Sequence, residues 1–247
     1  MKAKMMSRVP GLDPLPALGV LTTVAMAAAV WMVFVFAPIE STMGVVQKIF
    51  YFHVPAAISA YVGFLLCCIA SVAYLVTRNV RADVMARAGA EVGVFFCLMV
   101  LGSGPLWARK AWGTFWTGEP RLLLTLVLML IFLSYLVVRE FGGRTELTRR
   151  ICAVLGILGV ANIPLVRMSV ARWRGNHPQV LSRGGIEPDM YLTLYASAGA
   201  LALLFVTLLV LRYRIGLADE DTERLSRAIG AAELSHEDRA LAGAHHG

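Results

Sequence analysis

Six long apolar blocks, at about residues 16–38, 54–77, 87–107, 121–138, 151–170 and 189–211, leave this chain little choice of fold. A helix needs roughly 20 mostly apolar residues to cross a bilayer, and every backbone N–H and C=O within it must be satisfied internally. The expected fold class is therefore all-α: a polytopic membrane protein with six transmembrane helices. The chain has 247 residues, 58% of them hydrophobic, above the share usual in soluble domains. Little sequence remains for a soluble domain. The expected organisation is an arm at 1–15, a six-helix membrane domain at 16–213 and a tail at 214–247.

The formal charge of +7 invites a nucleic-acid reading, but the basic residues sit in the short connections between blocks. There they act as topology signals. Of the 23 Lys and Arg residues, 15 fall on the side of the N-terminus and 8 on the other. The rule places both termini in the cytoplasm, with outer loops at 39–53, 108–120 and 171–188. The first block exceeds a signal-peptide core and lacks a small-x-small cleavage site before Pro38, so it reads as a retained helix.

The four cysteines, Cys67, Cys68, Cys97 and Cys152, lie in or beside apolar spans and form no C-x-x-C pattern; they read as small buried apolar residues. No Walker A or hydrolytic motif occurs, so the chain carries no ATPase of its own. His236, His245 and His246 belong to the polar tail and read as solvated. Glu91 stands between Gly89 and Gly93, a small-xxx-small spacing that permits close helix contact. Its carboxylate is expected either to meet a partner subunit or to pair with Arg87. Asn162-Ile-Pro164 predicts a kink in the fifth span, and Arg167 beyond it is placed to reach headgroups.

The chemistry concentrates on the outer face. The connection after the third block reads Pro105-Leu-Trp107-Ala-Arg-Lys-Ala-Trp112-Gly-Thr-Phe115-Trp116-Thr-Gly118-Glu119-Pro-Arg121. Interfacial tryptophans are common. This density also suits a platform for a planar apolar ligand, and both readings stand. His53 precedes Val54-Pro55, where a helix start is expected. His177 lies between the fifth and sixth blocks. Imidazole is a good ligand for iron. The neighbouring Arg109, Arg121, Arg172 and Arg174 suit carboxylates, because a guanidinium donates two parallel hydrogen bonds, although each could equally meet lipid phosphate. Flat aromatic surfaces, two imidazoles and guanidinium groups on one face fit an iron-bearing di-carboxylate ligand, haem b.

These segments resemble a known family. Trp112-Gly-Thr-Phe-Trp116-x-x-Glu119-x-Arg121-Leu is similar to the tryptophan-rich WWD signature of haem-handling membrane proteins. Lys48-Ile-Phe-Tyr-Phe-His53-Val-Pro55-Ala-Ala and Asn162-Ile-Pro164…Ser169-Val…Trp173…His177 resemble the haem exporter protein C (CcmC) branch, over roughly residues 16–212. The resemblance implies a multi-pass protein of the bacterial inner membrane within an ABC-type assembly. Its partners there would be an ATP-binding subunit, a membrane permease subunit and a small single-span subunit. It further implies haem held at the periplasmic face between two axial histidines and presented to a periplasmic haem chaperone. The matching positions are His53, His177, Trp107, Trp112, Trp116, Glu119 and Arg121. Phe115, Gly118 and Glu119 depart from the usual Trp, Trp and Asp, and Arg172-Trp173-Arg174-Gly175-Asn176 departs from Trp-Trp-Asn-Thr-Leu. Two other readings stay open: a b-type electron-transfer cytochrome, argued against by the expectation that no histidine lies within a span, and a non-catalytic permease or scaffold subunit.

Overall fold

The computed structural model describes residues 13–173, 177 and 186–244. Among these residues seven α-helices follow in order: α1 Pro14–Trp31, α2 Phe50–Thr77, α3 Val80–Trp112, α4 Pro120–Phe141, α5 Glu146–Val160, α6 Asn162–Arg172 and α7 Pro188–Ala244. A π turn, Met32–Phe36, prolongs α1, and a 3₁₀ turn, Val45–Ile49, leads into α2. Six stretches are long and apolar enough to cross a membrane, with α5 and α6 together making one. The six-span, all-helical expectation holds.

Local chemistry explains most helix starts. Asp13, Asn79 and Thr145 accept hydrogen bonds from the backbone N–H of Leu15, Arg81 and Thr148 at 3.0, 2.9 and 3.1 Å, as N-caps do. Pro14 and Pro120 occupy first turns, where a missing N–H costs nothing. The expected kink appears as the break between α5 and α6 at Ala161. Pro164 cannot donate to the Val160 carbonyl, so the α5 ladder stops there. Asn162 then ties the break to α4 by donating to the Leu124 carbonyl at 2.8 Å.

Three boundaries differ from expectation. Helix α2 begins at Phe50 rather than 54, because the 3₁₀ turn feeds directly into it. His53 is therefore inside the first turns of α2, within the span Val45–Thr77, and Pro55 is its sixth residue. The expectation that no histidine lies within a span is corrected accordingly. Helix α3 runs on to Trp112 and carries Trp107 and Trp112 on its last turns, shrinking the expected 108–120 loop to 113–119. Helix α7 runs on past Tyr213, through most of the expected tail at 214–247, to Ala244; in that stretch Glu220 pairs with Arg149 of α5 and Arg227 with Glu223. The expected features at Lys2, Lys4, Arg8, Arg174, Arg183, His245 and His246 lie outside the described residues.

Helix α2 is the hub, packing on α3, α5 and α7, while α1 lies against α7 and α4 against α3, α5 and α6. The α2–α3 contact is the closest. A Cβ built on Gly63 would stand 2.8 Å from Gly93 Cα and 2.9 Å from the Gly89 carbonyl, so only glycine fits, as the Gly89/Gly93 spacing predicts. The main core surrounds this contact, with Phe64 stacked on Phe132 at 3.9 Å between centroids.

The end opposite the histidines is clamped by charge. Asp83, almost fully buried, accepts from Arg139 and from Arg149 at 2.7 Å, and Arg149 reaches Glu220 on α7 at 2.8 Å. Glu91 pairs with Arg87 at 3.0 Å, as one expectation had it, and also accepts two bonds from Arg212 at 2.6 and 2.7 Å. These pairs join α3, α4, α5 and α7. Each buried charge has a partner, without which its desolvation would be costly.

Candidate functional site

A cavity of about 660 Å³ opens among α2, α3, α4 and α6, and it gathers His53, His177, Trp107, Trp112 and Arg121 on its walls. These residues come from four separate parts of the chain, and the helix packing alone brings them together.

The two imidazole centres are 6.4 Å apart with their planes inclined by 33°. A metal–imidazole bond is about 2 Å long and the ring centre lies roughly 1 Å behind its nitrogen, so two axial imidazoles on one metal have centres about 6 Å apart. The pair stands at that spacing.

The tautomer of His53 follows from its neighbour. His53 Nδ1 lies 2.8 Å from Ser103 Oγ, and Ser103 donates its only hydroxyl proton to the Met99 carbonyl at 2.6 Å. Ser103 must therefore accept from His53 Nδ1–H. In the neutral ring that leaves Nε2 unprotonated; an orienting partner of this kind is how proteins fix histidines for metal binding. Ser103 was not found by sequence reasoning. Its only signal was a hydroxyl between Gly102 and Gly104 in an apolar span.

His177 has Nδ1 3.6 Å from the buried Glu119 carboxylate, beside it but beyond hydrogen-bond length. Burial lowers the His177 pKa to about 3, and the charges of Arg121 and His53 push in the same direction. At neutral pH the ring is uncharged and able to bind a metal.

The tryptophan-rich segment divides into two parts. Trp107 and Trp112 pack edge to face, 5.4 Å between centroids, and face the cavity. Gly113, with φ +78°, ends α3 in the left-handed conformation that glycine adopts at low cost. Beyond it the chain turns outward. Phe115 is exposed beneath the Arg109 guanidinium, and Trp116 is 40% exposed and not among the cavity-lining residues. Gly118 also has a positive φ, +66°, so a tryptophan at this position would strain the backbone. Glu119 packs behind His177 rather than on the wall.

Of the four arginines expected near the ligand, Arg121 alone lines the cavity among those described; Arg109 and Arg172 do not, and Arg174 lies outside the described residues. Arg167, expected to reach headgroups, lines the cavity instead. Among the described residues no group of three His, Cys, Asp or Glu side chains stands close enough to hold a bare metal ion.

Comparison with known proteins agrees with this architecture. The family model described as "Heme exporter protein C" matches residues 4–228. The chain is 33% identical over 198 residues to Heme exporter protein C of Bradyrhizobium diazoefficiens, covering 78% of this chain and 75% of that protein. It is 32% identical to the protein of the same name from Rhodobacter capsulatus, covering 73% and 77%. With that of Escherichia coli it shares 30% identity over 73% and 74%. With six spanning helices and such relatives, it is a multi-pass protein of the bacterial inner membrane. The chain belongs to the haem exporter protein C family.

Proposed function

We propose that this protein binds haem as cargo at the periplasmic face, between His53 and His177, and presents it over the tryptophan-rich segment to a periplasmic haem chaperone. Its coarse role, haem handling in cytochrome c biogenesis, comes with the family. The observation that supports the finer reading is the pair of imidazoles 6.4 Å apart in one cavity, one of them held through Nδ1 by Ser103.

The residues present fit haem b. His53 and His177 bind iron from opposite faces. Trp107 and Trp112 cover the porphyrin, and an aromatic contact is worth about 0.5–1.5 kcal/mol beyond its burial. Arg121 pairs with a propionate. Glu119 steadies His177 from behind. Trp116, exposed beyond the cavity, meets the incoming chaperone rather than the haem plane. In an ABC-type assembly, its partners would be an ATP-binding subunit, a permease subunit and a small single-span subunit. Residues 214–247 form the cytoplasmic tail on that side.

The test is the absorption spectrum of the purified, haem-loaded protein. His53→Ala and His177→Ala should each shift it from six-coordinate low-spin toward five-coordinate and weaken retention. If both variants keep the parent spectrum, the ligand assignment is wrong. Haem loading of the chaperone, measured beside the spectrum, separates cargo delivery from electron transfer: a b-type cytochrome would cycle reversibly and load nothing.

A further inference from the structure

Two kinds of glycine lie along the α2–α3 pair. Gly63 and Gly93 are there because the helices touch. A Cβ on Gly63 would stand 2.8 Å from the Gly93 backbone, and one on Gly93 would stand 2.6 Å from the Phe64 ring. Gly104 is different. A Cβ built on it would have one neighbour within 4 Å among the described residues, His53 Cε1 at 3.5 Å, an ordinary van der Waals distance. An alanine would fit against the protein as it stands. Glycine inside a helix is destabilising relative to alanine, so the packing of α3 gives no reason for a glycine at this position.

The cavity supplies one. Helix α3 contributes Leu101, Gly104 and Trp107 to its wall, at the three-residue spacing that keeps them on one helix face. With no side chain at the middle position, the wall has a notch one turn from Leu101 on one side and from Trp107 on the other. His53 stands at that notch by its ring edge. Its Nδ1 is held by Ser103 at 2.8 Å, and its Cε1 faces Gly104. The second ring nitrogen, Nε2, is bonded to Cε1 and so lies beside the notch.

We propose that Gly104 is a specificity-determining residue of the haem site. Its missing side chain leaves a slot between Leu101 and Trp107, and the thin rim of a flat macrocycle carried on His53 lies there against the α3 backbone. A side chain at 104 competes with the ring for that volume without touching the iron ligands' chemistry. The slot selects for flatness and adds neither charge nor a metal ligand. This inference rests on the haem-binding reading above and adds a residue to it that acts by space alone.

The experiment uses the purified full-length protein and three variants, Gly104→Ala, Gly104→Leu and Gly102→Leu. Gly102 is the control, because it lies on the same helix with nothing within 4 Å of a built Cβ and is not on the cavity wall. Two quantities are recorded: the thermal melt of the haem-free protein, and the rate of haem loss to an excess of an apo-haem scavenger. Gly104→Leu should melt at or above the parent temperature yet lose haem about tenfold faster or more, the order set by forcing extra methylenes into a filled site. Gly104→Ala should change the rate in the same direction by less, and Gly102→Leu should keep the parent rate. Should Gly104→Leu fail to fold, Gly104→Ala decides: a parent-like melt with faster loss supports the slot, and a parent-like rate overturns it. Parent-like rates in both Gly104 variants overturn the slot alone, as does a Gly102→Leu that loses haem as fast as Gly104→Leu. A wild type with no histidine-dependent six-coordinate spectrum overturns both the slot and the reading beneath it.

Discussion

Single atoms decide which nitrogen a histidine here presents to the cavity. His53 offers Nε2 because the one proton on Ser103 is already given to the Met99 carbonyl, so the imidazole must donate from Nδ1. Ser103→Ala leaves a buried Nδ1–H without its acceptor, which costs about 1–3 kcal/mol, and frees the ring to turn or change tautomer. Haem retention should fall by about tenfold or more by the same measure. The six-coordinate spectrum should become a mixture, and Ser103→Thr should restore it. An unchanged dissociation rate for Ser103→Ala would remove this residue from the site. Of the residues singled out in the sequence, His53, His177, Trp107, Trp112 and Arg121 line one cavity, whereas Trp116 and Glu119 do not; their chemistry and their place at the ends of spans had marked them out together. The contact of Ser103 with His53 and the place of Arg167 on the cavity wall were not legible. Each is an ordinary residue near the end of an apolar helix until a second helix packs beside it.

At the scale of the element, boundaries moved and so did the meaning of the motif. Helix α3 carries Trp107 and Trp112 into the wall, and only the segment after Gly113 is the exposed platform. The aromatic cluster therefore divides in two, with Trp107 and Trp112 on the cavity wall and Phe115 and Trp116 exposed outside it. Hydropathy could not separate them, because amphipathic indoles continue a helix as readily as they decorate a loop. The seat of α3 depends on Gly63. A Cβ there would meet the backbone of Gly93 and Gly89 at 2.8–2.9 Å, and backbone cannot swing aside as a side chain can. Gly63→Val should push α2 and α3 apart and destabilise the fold by about 1–3 kcal/mol. Because His53 stands on α2 and Ser103 on α3, the same change should disturb the haem spectrum. A thermal melt in detergent, read beside the Soret band, checks both. A parent-like melt with a parent-like spectrum would show that the two helices are not seated on this contact.

For the molecule as a whole, the two ends differ in charge logic. One end is closed by Asp83, Glu91 and Glu220 against Arg139, Arg149, Arg87 and Arg212. The other end leaves Arg121 and Arg167 facing a cavity. The basic excess predicts the closed end in the cytoplasm. Reporter fusions after residues 110 and 180 should therefore read as periplasmic, and one after 215 as cytoplasmic. The reverse pattern would turn the histidines toward the cytoplasm and end the chaperone argument. The six spans, the kink at Pro164 and the α2–α3 glycine contact could be read from the chain alone, because a bilayer demands long apolar helices with their backbone bonds closed, and because proline and glycine act locally. Which histidine nitrogen meets Ser103, which arginines have an acidic partner among the described residues and which tryptophans face the cavity were decided only by tertiary structure. Those properties belong to pairs of residues fifty or more positions apart, and a hydropathy pattern carries no record of which helix faces which.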